Sequence, residues 1–268
     1  MSARVIAVGK GTNHTMAYSD NSGVTWTGLG DDVFSARAYD IAYNSTQDKF
    51  LAVGKGTGWA YYSHEGLVWK QTGENKFLDG RGIATNGDRW VAVGKGNNSK
   101  NRSMMRSDNG INWTSISNSR TDLFTTYGTS VEVYGNKWVA VGKGANHVIA
   151  YSHDNAETWT HALAVDASNT KTLITTEANT VSTNGSRWIV GGKGTSSGDY
   201  MLLVYSDDDG KTWAKVDDPI IDTFNEIFGS HYDGEKFWIS GTSTGVKLAY
   251  STDGLSWTAV TGSYYLKA

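Results

Sequence analysis

Five times in this chain a lysine stands between two glycines at the end of an apolar run: VIAVGKG at 5–11, FLAVGKG at 50–56, WVAVGKG at 90–96 and again at 138–144, and WIVGGKG at 188–194. Lys10, Lys55, Lys95, Lys143 and Lys193 each offer an ammonium beside glycine backbone N–H groups, a combination suited to hydroxyl, carboxylate or sulfate groups. In a purely structural reading, the lysine stem lies along a neighbouring aromatic, the ammonium reaches solvent, and the recurrence records duplication. The loops after the lysines add further polar chemistry. Asn13 and His14 in GTNH match Asn146 and His147 in GANH, and Trp59 closes GKGTG. An indole there could stack on a sugar face if exposed, or pack between structural units.

These residues need a scaffold, and the chain supplies a second recurring phrase. YSDNSGVTW, YSHEGLVW, RSDNGINW, YSHDNAETW, YSDDDGKTW and YSTDGLSW begin at Tyr18, Tyr62, Arg106, Tyr151, Tyr205 and Tyr250. FWISGTS at 237–243 is a degenerate sixth copy of the lysine phrase, so the two phrases alternate at roughly 40 to 50 residue spacing, the signature of a repeat architecture. Within a unit, RGIATN, RWVAVGKG, SMMRSD and INWTSI are short β-rich runs separated by Asn-Gly-Asp and Asp-Asn-Gly turns. No apolar spacing of helical period is sustained. Four antiparallel strands per repeat, repeated around an axis, predict an all-β, six-bladed β-propeller forming one domain over residues 1–268. The first repeat starts at its second strand, while TGSYYLKA remains after the sixth WTAV, so the C-terminal strand is expected to complete the N-terminal blade and remove an open edge.

The phrase S-x-D-x-G-x-T-W, matched in full by Ser206, Asp208, Gly210, Thr212 and Trp213, resembles the Asp-box or BNR repeat of sialidase-type propellers. Ser19, Asn21, Gly23, Thr25 and Trp26 fit with Asn for Asp, and Ser152, Asp154, Thr158 and Trp159 fit with Ala156 in the glycine slot. Physically the phrase is a hairpin device: the carboxylate accepts N–H groups across the turn, the glycine takes positive φ, and the tryptophan covers apolar surface. The resemblance implies that the box turns lie opposite the binding face, which places function on the lysine loops. Sialidases as a family use an arginine triad, a tyrosine nucleophile supported by a glutamate, and an acid/base aspartate. Arg37, Arg81 and Arg120 with Tyr127 and Glu177 are of those types, but no spacing selects them and no FRIP-type motif is present. No enzymatic activity is expected.

Charge sharpens the reading. The lysine loops hold Lys10, Lys55, Lys95, Lys100, Arg102, Lys143 and Lys193 against Asp199, whereas the box turns hold many acids against Lys211. The expectation is a basic loop face and an acidic box face. His14 and His147 belong to the first and fourth repeats, diametrically opposite in a six-membered ring, so one metal ion cannot bridge them and no metal or cofactor is expected. Phe34, Phe77, Phe124 and Phe224 in the connections are core anchors. The 268 residues, 38% hydrophobic with net charge -3, contain no cysteine and no apolar run near the ~18 residues of a spanning helix. Neither membrane insertion nor a secretory leader is expected. No nucleic-acid reader motif or basic excess occurs. The expected function is multivalent carbohydrate binding on the loop face, with glycans or glycoconjugates as partners. A propeller used for protein contacts or as a structural component is the first alternative, and a sialidase-like glycoside hydrolase the second.

Overall fold

The apolar run before each lysine becomes the second strand of an antiparallel sheet. WVAVG of 90–94 is buried at every position rather than alternately, because neighbouring sheets cover both its faces, and Lys95 is the first residue to emerge. The computed structural model describes residues 4–73, 77–96, 103–116, 123–145, 147–164, 177–193, 202–243 and 245–261. Its strands fall into one trio and five quartets. The trio is β1 (Val5–Val8), β2 (Met16–Ser19) and β3 (Thr27–Gly28). The first three quartets are β4 (Arg37–Asn44) to β7 (Lys70–Gln71), β8 (Phe77–Thr85) to β11 (Thr114–Ser115), and β12 (Tyr127–Tyr134) to β15 (Thr160–His161). The short strand β16 (Leu163–Ala164) pairs parallel with β20 (Thr212–Lys215), the last strand of the quartet that begins at β17 (Glu177–Thr183) and includes β18 (Trp188–Lys193). The final quartet runs from β21 (Phe224–Tyr232) to β24 (Thr258–Ala259), and a single bridge, Lys193 to Glu226, joins it to β18. The segment Tyr264–Ala268, expected to complete the first sheet, lies outside the described residues.

The core is distributed as layers between consecutive sheets. Leu51, Val53 and Trp59 of the second repeat pack with Phe77, Ile83 and Trp90 of the third. Val139, Val141 and Ile149 of the fourth repeat pack with Val181, Trp188 and Val190 of the fifth. Phe34, Phe77, Phe124 and Phe224 are all buried in such layers, as their recurrence in the connections predicts. First strands from successive repeats face one another around a central cavity of about 350 Å³. Side chains stitch these strands together: Thr129 Oγ1 donates to the Ala178 carbonyl, Asn179 Nδ2 donates to the Ile227 carbonyl at 2.9 Å, and Thr180 Oγ1 accepts the Ser230 N–H at 2.9 Å.

The box turns form the hairpin device expected of them. Asp208 accepts the Thr212 N–H at 2.9 Å and the Thr212 hydroxyl at 2.7 Å; Gly210 has φ of 86°, and Trp213 Nε1 donates to its carbonyl at 2.9 Å. Ala156, in the glycine slot of the fourth repeat, takes φ of 62°. A second device was not anticipated. A basic residue at the start of the second strand in each of the first five repeats reaches the box turn of the next repeat: Arg4 to the Glu65 carbonyl, Lys49 to the Asn109 carbonyl, Arg89 to the Asn155 carbonyl, Lys137 to the Asp209 carboxylate, and Arg187 to the Asp253 carbonyl. Arg4, Arg89 and Arg187 also pair with the box acids Asp20, Asp108 and Asp207 of their own repeats, and Arg106 pairs with Glu157. These cations offset part of the acidic charge of the box turns. The turn between first and second strands brings them to the same face, together with the acids Asp48, Asp88, Asp233 and Glu235.

Trp213 is 4% exposed and Trp26 46% exposed, so equivalent tryptophans carry unequal packing. Trp213→Ala is expected to cost ~3 to 5 kcal/mol, and Trp26→Ala about half as much, in chemical denaturation.

Candidate functional site

Register decides what each lysine meets. Within its own sheet, Lys55 lies opposite Arg37, Lys95 opposite Asp79, Lys143 opposite Tyr127 and Lys193 opposite Glu177. The glycine before the lysine has a steric cause. A methyl group at Gly142 would stand 2.4 Å from the Tyr127 carbonyl oxygen and 3.0 Å from the Phe124 ring. One residue further on, the lysine clears the sheet and reaches the first strand of the next repeat. Lys143 Nζ donates to Glu177 at 3.2 Å, and Lys193 lies 3.9 Å from Glu226.

Each of the five described first strands carries a β-bulge at the same place, with Tyr39, Arg81, Thr129, Asn179 and Phe228 as the extra residues. A bulge re-aims its side chains out of the regular alternation. Here it assembles a chain of polar and aromatic groups around the loop end of the cavity. The Arg37 and Arg81 guanidinium groups lie 5.3 and 5.9 Å from the centre of the Tyr39 ring, and Arg81 lies 3.6 Å from the centre of the Tyr127 ring. Arg81 also pairs with Asp79 at 3.3 Å. The Tyr127 hydroxyl donates to Glu177 at 2.8 Å, and Asn179 donates to Glu226 at 3.0 Å. Burial and then the Glu177 carboxylate raise the Tyr127 pKa, against the opposing pull of Arg81, while Glu177 raises that of Lys143.

Several expected site residues are placed differently from the sequence reading. Lys10, Asn13, Lys55, Lys95 and Lys193 are exposed, and Lys143 is half-buried in its ion pair. Trp59 is 1% exposed, with its ring edge-to-face against Phe77 at 4.9 Å and Trp113 at 5.2 Å, so it offers no surface for a sugar; it fills the layer between the second and third repeats. His14 turns onto its own sheet, where Nδ1 accepts the Gly30 N–H at 2.9 Å. The equivalent His147 stacks on His161 with ring centres 3.9 Å apart. Asn146 and Arg120 lie outside the described residues. Arg37, Arg81, Tyr127 and Glu177 stand on first strands, and the last three form one contact chain. Sequence reasoning missed Tyr39, Asp79, Asn179, Glu226 and Phe228. Aligning the first strands on Ile41, Ile83, Val131 and Val181 stacks Asp79 with Arg37, Tyr127 and Glu177, and Tyr39 and Asn179 with Arg81 and Thr129, whereas the last first strand has Ser230 at the aligned position and its Glu226 and Phe228 carry no such signal. Among the described residues no cluster of acids and histidines could hold a metal ion, and no helix is long and apolar enough to cross a membrane.

No known protein family and no curated protein matches this sequence. Solved structures do. A GH74 enzyme from Niastella koreensis superposes with a TM-score of 0.62 at 20% identity over 98% of this chain and 38% of that one. An ancestral GH74 enzyme gives 0.66 at 15% identity over 99% and 39%. YCF48 from Cyanidioschyzon merolae gives 0.55 at 17% identity over 84% and 71%. The chain thus spans about two fifths of the length of the GH74 enzymes it matches. With the repeated antiparallel sheets, these likenesses establish a β-propeller fold.

Inside the cavity, Asp40 accepts the Ile41 N–H at 2.8 Å and the Ile83 N–H at 2.9 Å. Its burial outweighs both hydrogen bonds and lifts its pKa to about 7, and burial likewise raises Glu132. A carboxylate whose folded pKa exceeds its unfolded value favours the fold at low pH and loses that contribution as pH rises toward the folded pKa. The melting temperature is therefore expected to fall between about pH 4 and 7, and Asp40→Asn to flatten that slope in melts across the same range.

Proposed function

We propose that this protein is a non-enzymatic, multivalent carbohydrate-binding propeller, of six blades closed by Tyr264–Ala268 beside β1, whose ligands meet the loop face. The observation that carries this reading is the recurrent bulge. Its five copies place Tyr39, Arg81, Thr129, Asn179 and Phe228 at equivalent points of successive first strands, two residues along from the position that faces each lysine. Phe228 is 52% exposed there, an apolar ring beside hydrogen-bonding groups, which is the pairing a saccharide requires. The lysine positions repeat around the same rim. Their neighbours differ from repeat to repeat, so the sectors bind with unequal strength, and avidity adds them together.

The absence of turnover is part of the proposal. The Arg81, Tyr127 and Glu177 chain has the residue types of a tyrosine nucleophile, but the phenol pKa is raised, which opposes formation of phenolate. A second reading, protein contact, is favoured by Val24, Trp26, Leu67 and Val68, which leave apolar surface exposed on the box turns of the first two repeats. One of the similar structures is YCF48 bound to D1 peptide.

A broad glycan array separates the readings. Sugar-dependent retention, with no release of fluorophore from an arylglycoside panel, is the expected result; a blank array would favour protein contact, and turnover would reject both. Lys95→Met keeps the apolar stem, and calorimetric titration is expected to lose about one site while stability moves by less than ~0.5 kcal/mol. Deleting residues 263–268 is expected to lower the melting temperature by more than about 5 °C, and an unchanged melt would count against closure by that segment.

A further inference from the structure

The lysine positions are equivalent in backbone but not in charge balance. In the fourth and fifth repeats the lysine meets a glutamate at the start of the next first strand, Glu177 for Lys143 and Glu226 for Lys193. Between the first and second repeats the same approach is made: the Ala38 N–H donates to the Gly9 carbonyl at 3.0 Å, bringing Lys10 alongside Arg37. Arg37 thus occupies the place of the two glutamates. Across β4 and the strand that follows it, Arg37 also lies directly opposite Lys55, so its register partner is a second cation.

Like charges placed opposite one another in a sheet are destabilising. No ion pair among the described residues relieves this set. Lys10, Arg37 and Lys55 each lie beyond ion-pairing distance of every described acid, and the buried Asp79 pairs with Arg81 through one oxygen. Asp31 and Asp32, in the connection leading to β4, form no ion pair with them either. Arg37 is backed by Tyr39, whose ring Arg81 also approaches. A braced guanidinium between two exposed ammonium groups suits an oxyanion with several acceptor oxygens.

We propose that the sector formed by Lys10, Arg37 and Lys55 binds the sulfate or carboxylate group of an acidic saccharide. This rests on the carbohydrate-binding reading and names the class of sugar. Neutral sugars bind the acid-paired sectors without its help.

The test is calorimetric titration of the full chain with a heparin-derived hexasaccharide, its fully desulfated and N-acetylated form, neutral maltohexaose, and inorganic polyphosphate. The heparin hexasaccharide is expected to bind at least about tenfold more tightly than maltohexaose, and Arg37→Glu to remove that advantage. Lys10→Gln, at an exposed position, is expected to weaken binding severalfold and carries the test if Arg37→Glu fails to fold. Lys211→Gln, an equal charge change on the box face, is expected to leave affinity unchanged. Retained binding of the desulfated form assigns the contact to carboxylate, and its loss assigns it to sulfate. Equal affinity for charged and neutral sugars, or affinity indifferent to both Arg37→Glu and Lys10→Gln, overturns the proposal while leaving carbohydrate binding intact. Polyphosphate binding that is sensitive to Arg37→Glu, with no saccharide bound, overturns the acidic-saccharide assignment together with the carbohydrate reading.

Discussion

Everything at the loop end of this molecule depends on a place where no side chain fits. Before Lys55, Lys95, Lys143 and Lys193 the second strand passes so close to the first that no side chain fits: a methyl group at Gly54 would stand 2.4 Å from the Arg37 carbonyl oxygen and 2.6 Å from the Phe34 ring. The phenylalanine anchor, the first-strand carbonyl and the glycine lock one another, and a slip of one residue would bring a bulky side chain into that gap. Once the register is fixed, the lysine must follow, and its neighbour on the first strand is fixed as well. The ammonium groups are therefore held by packing rather than by their own charge.

The same constraint explains why identical phrases produce different chemistry. The backbone repeats, but the residue facing the lysine is Arg37, Asp79, Tyr127 or Glu177 according to the sheet. His14 and His147 diverge for a similar reason. The residue beneath the ring is Gly28 in one repeat and His161 in the other, so one imidazole lies over bare backbone and the other stacks on a second ring. Duplication has preserved geometry and released the contacts from it.

The strands, the box turns and the phenylalanine anchors were legible in the sequence because each is specified within a few consecutive residues and repeats. The bulges were not. A bulge is a mismatch in count between two paired strands, and neither strand alone encodes it. Trp59 was ambiguous because its burial depends on Phe77 and Trp113 of the following repeat. The cations of the box face were missed because Arg4, Arg89 and Arg187 sit outside the box phrase, although the fold returns them to it. Of the candidate site, the lysines were visible from their spacing, whereas Tyr39, Asn179 and Glu226 required knowledge of which strand ends converge.

The basic residues that grip the box turns all point the same way. Among the described residues each reaches forward in the chain, from one repeat to the next: Arg4 to Glu65, Lys49 to Asn109, Arg89 to Asn155, Lys137 to Asp209 and Arg187 to Asp253. A link of this kind has a giver and a receiver, and among the described residues the second to fifth repeats carry one of each. A duplicated repeat would arrive with its own basic residue to extend and its own turn to be grasped, and a lost repeat would leave its neighbours able to join hands. The box face thus has the grammar of a chain whose length is free to change by whole units, which is how a gene that grows by copying itself could add a repeat without first inventing a new interface.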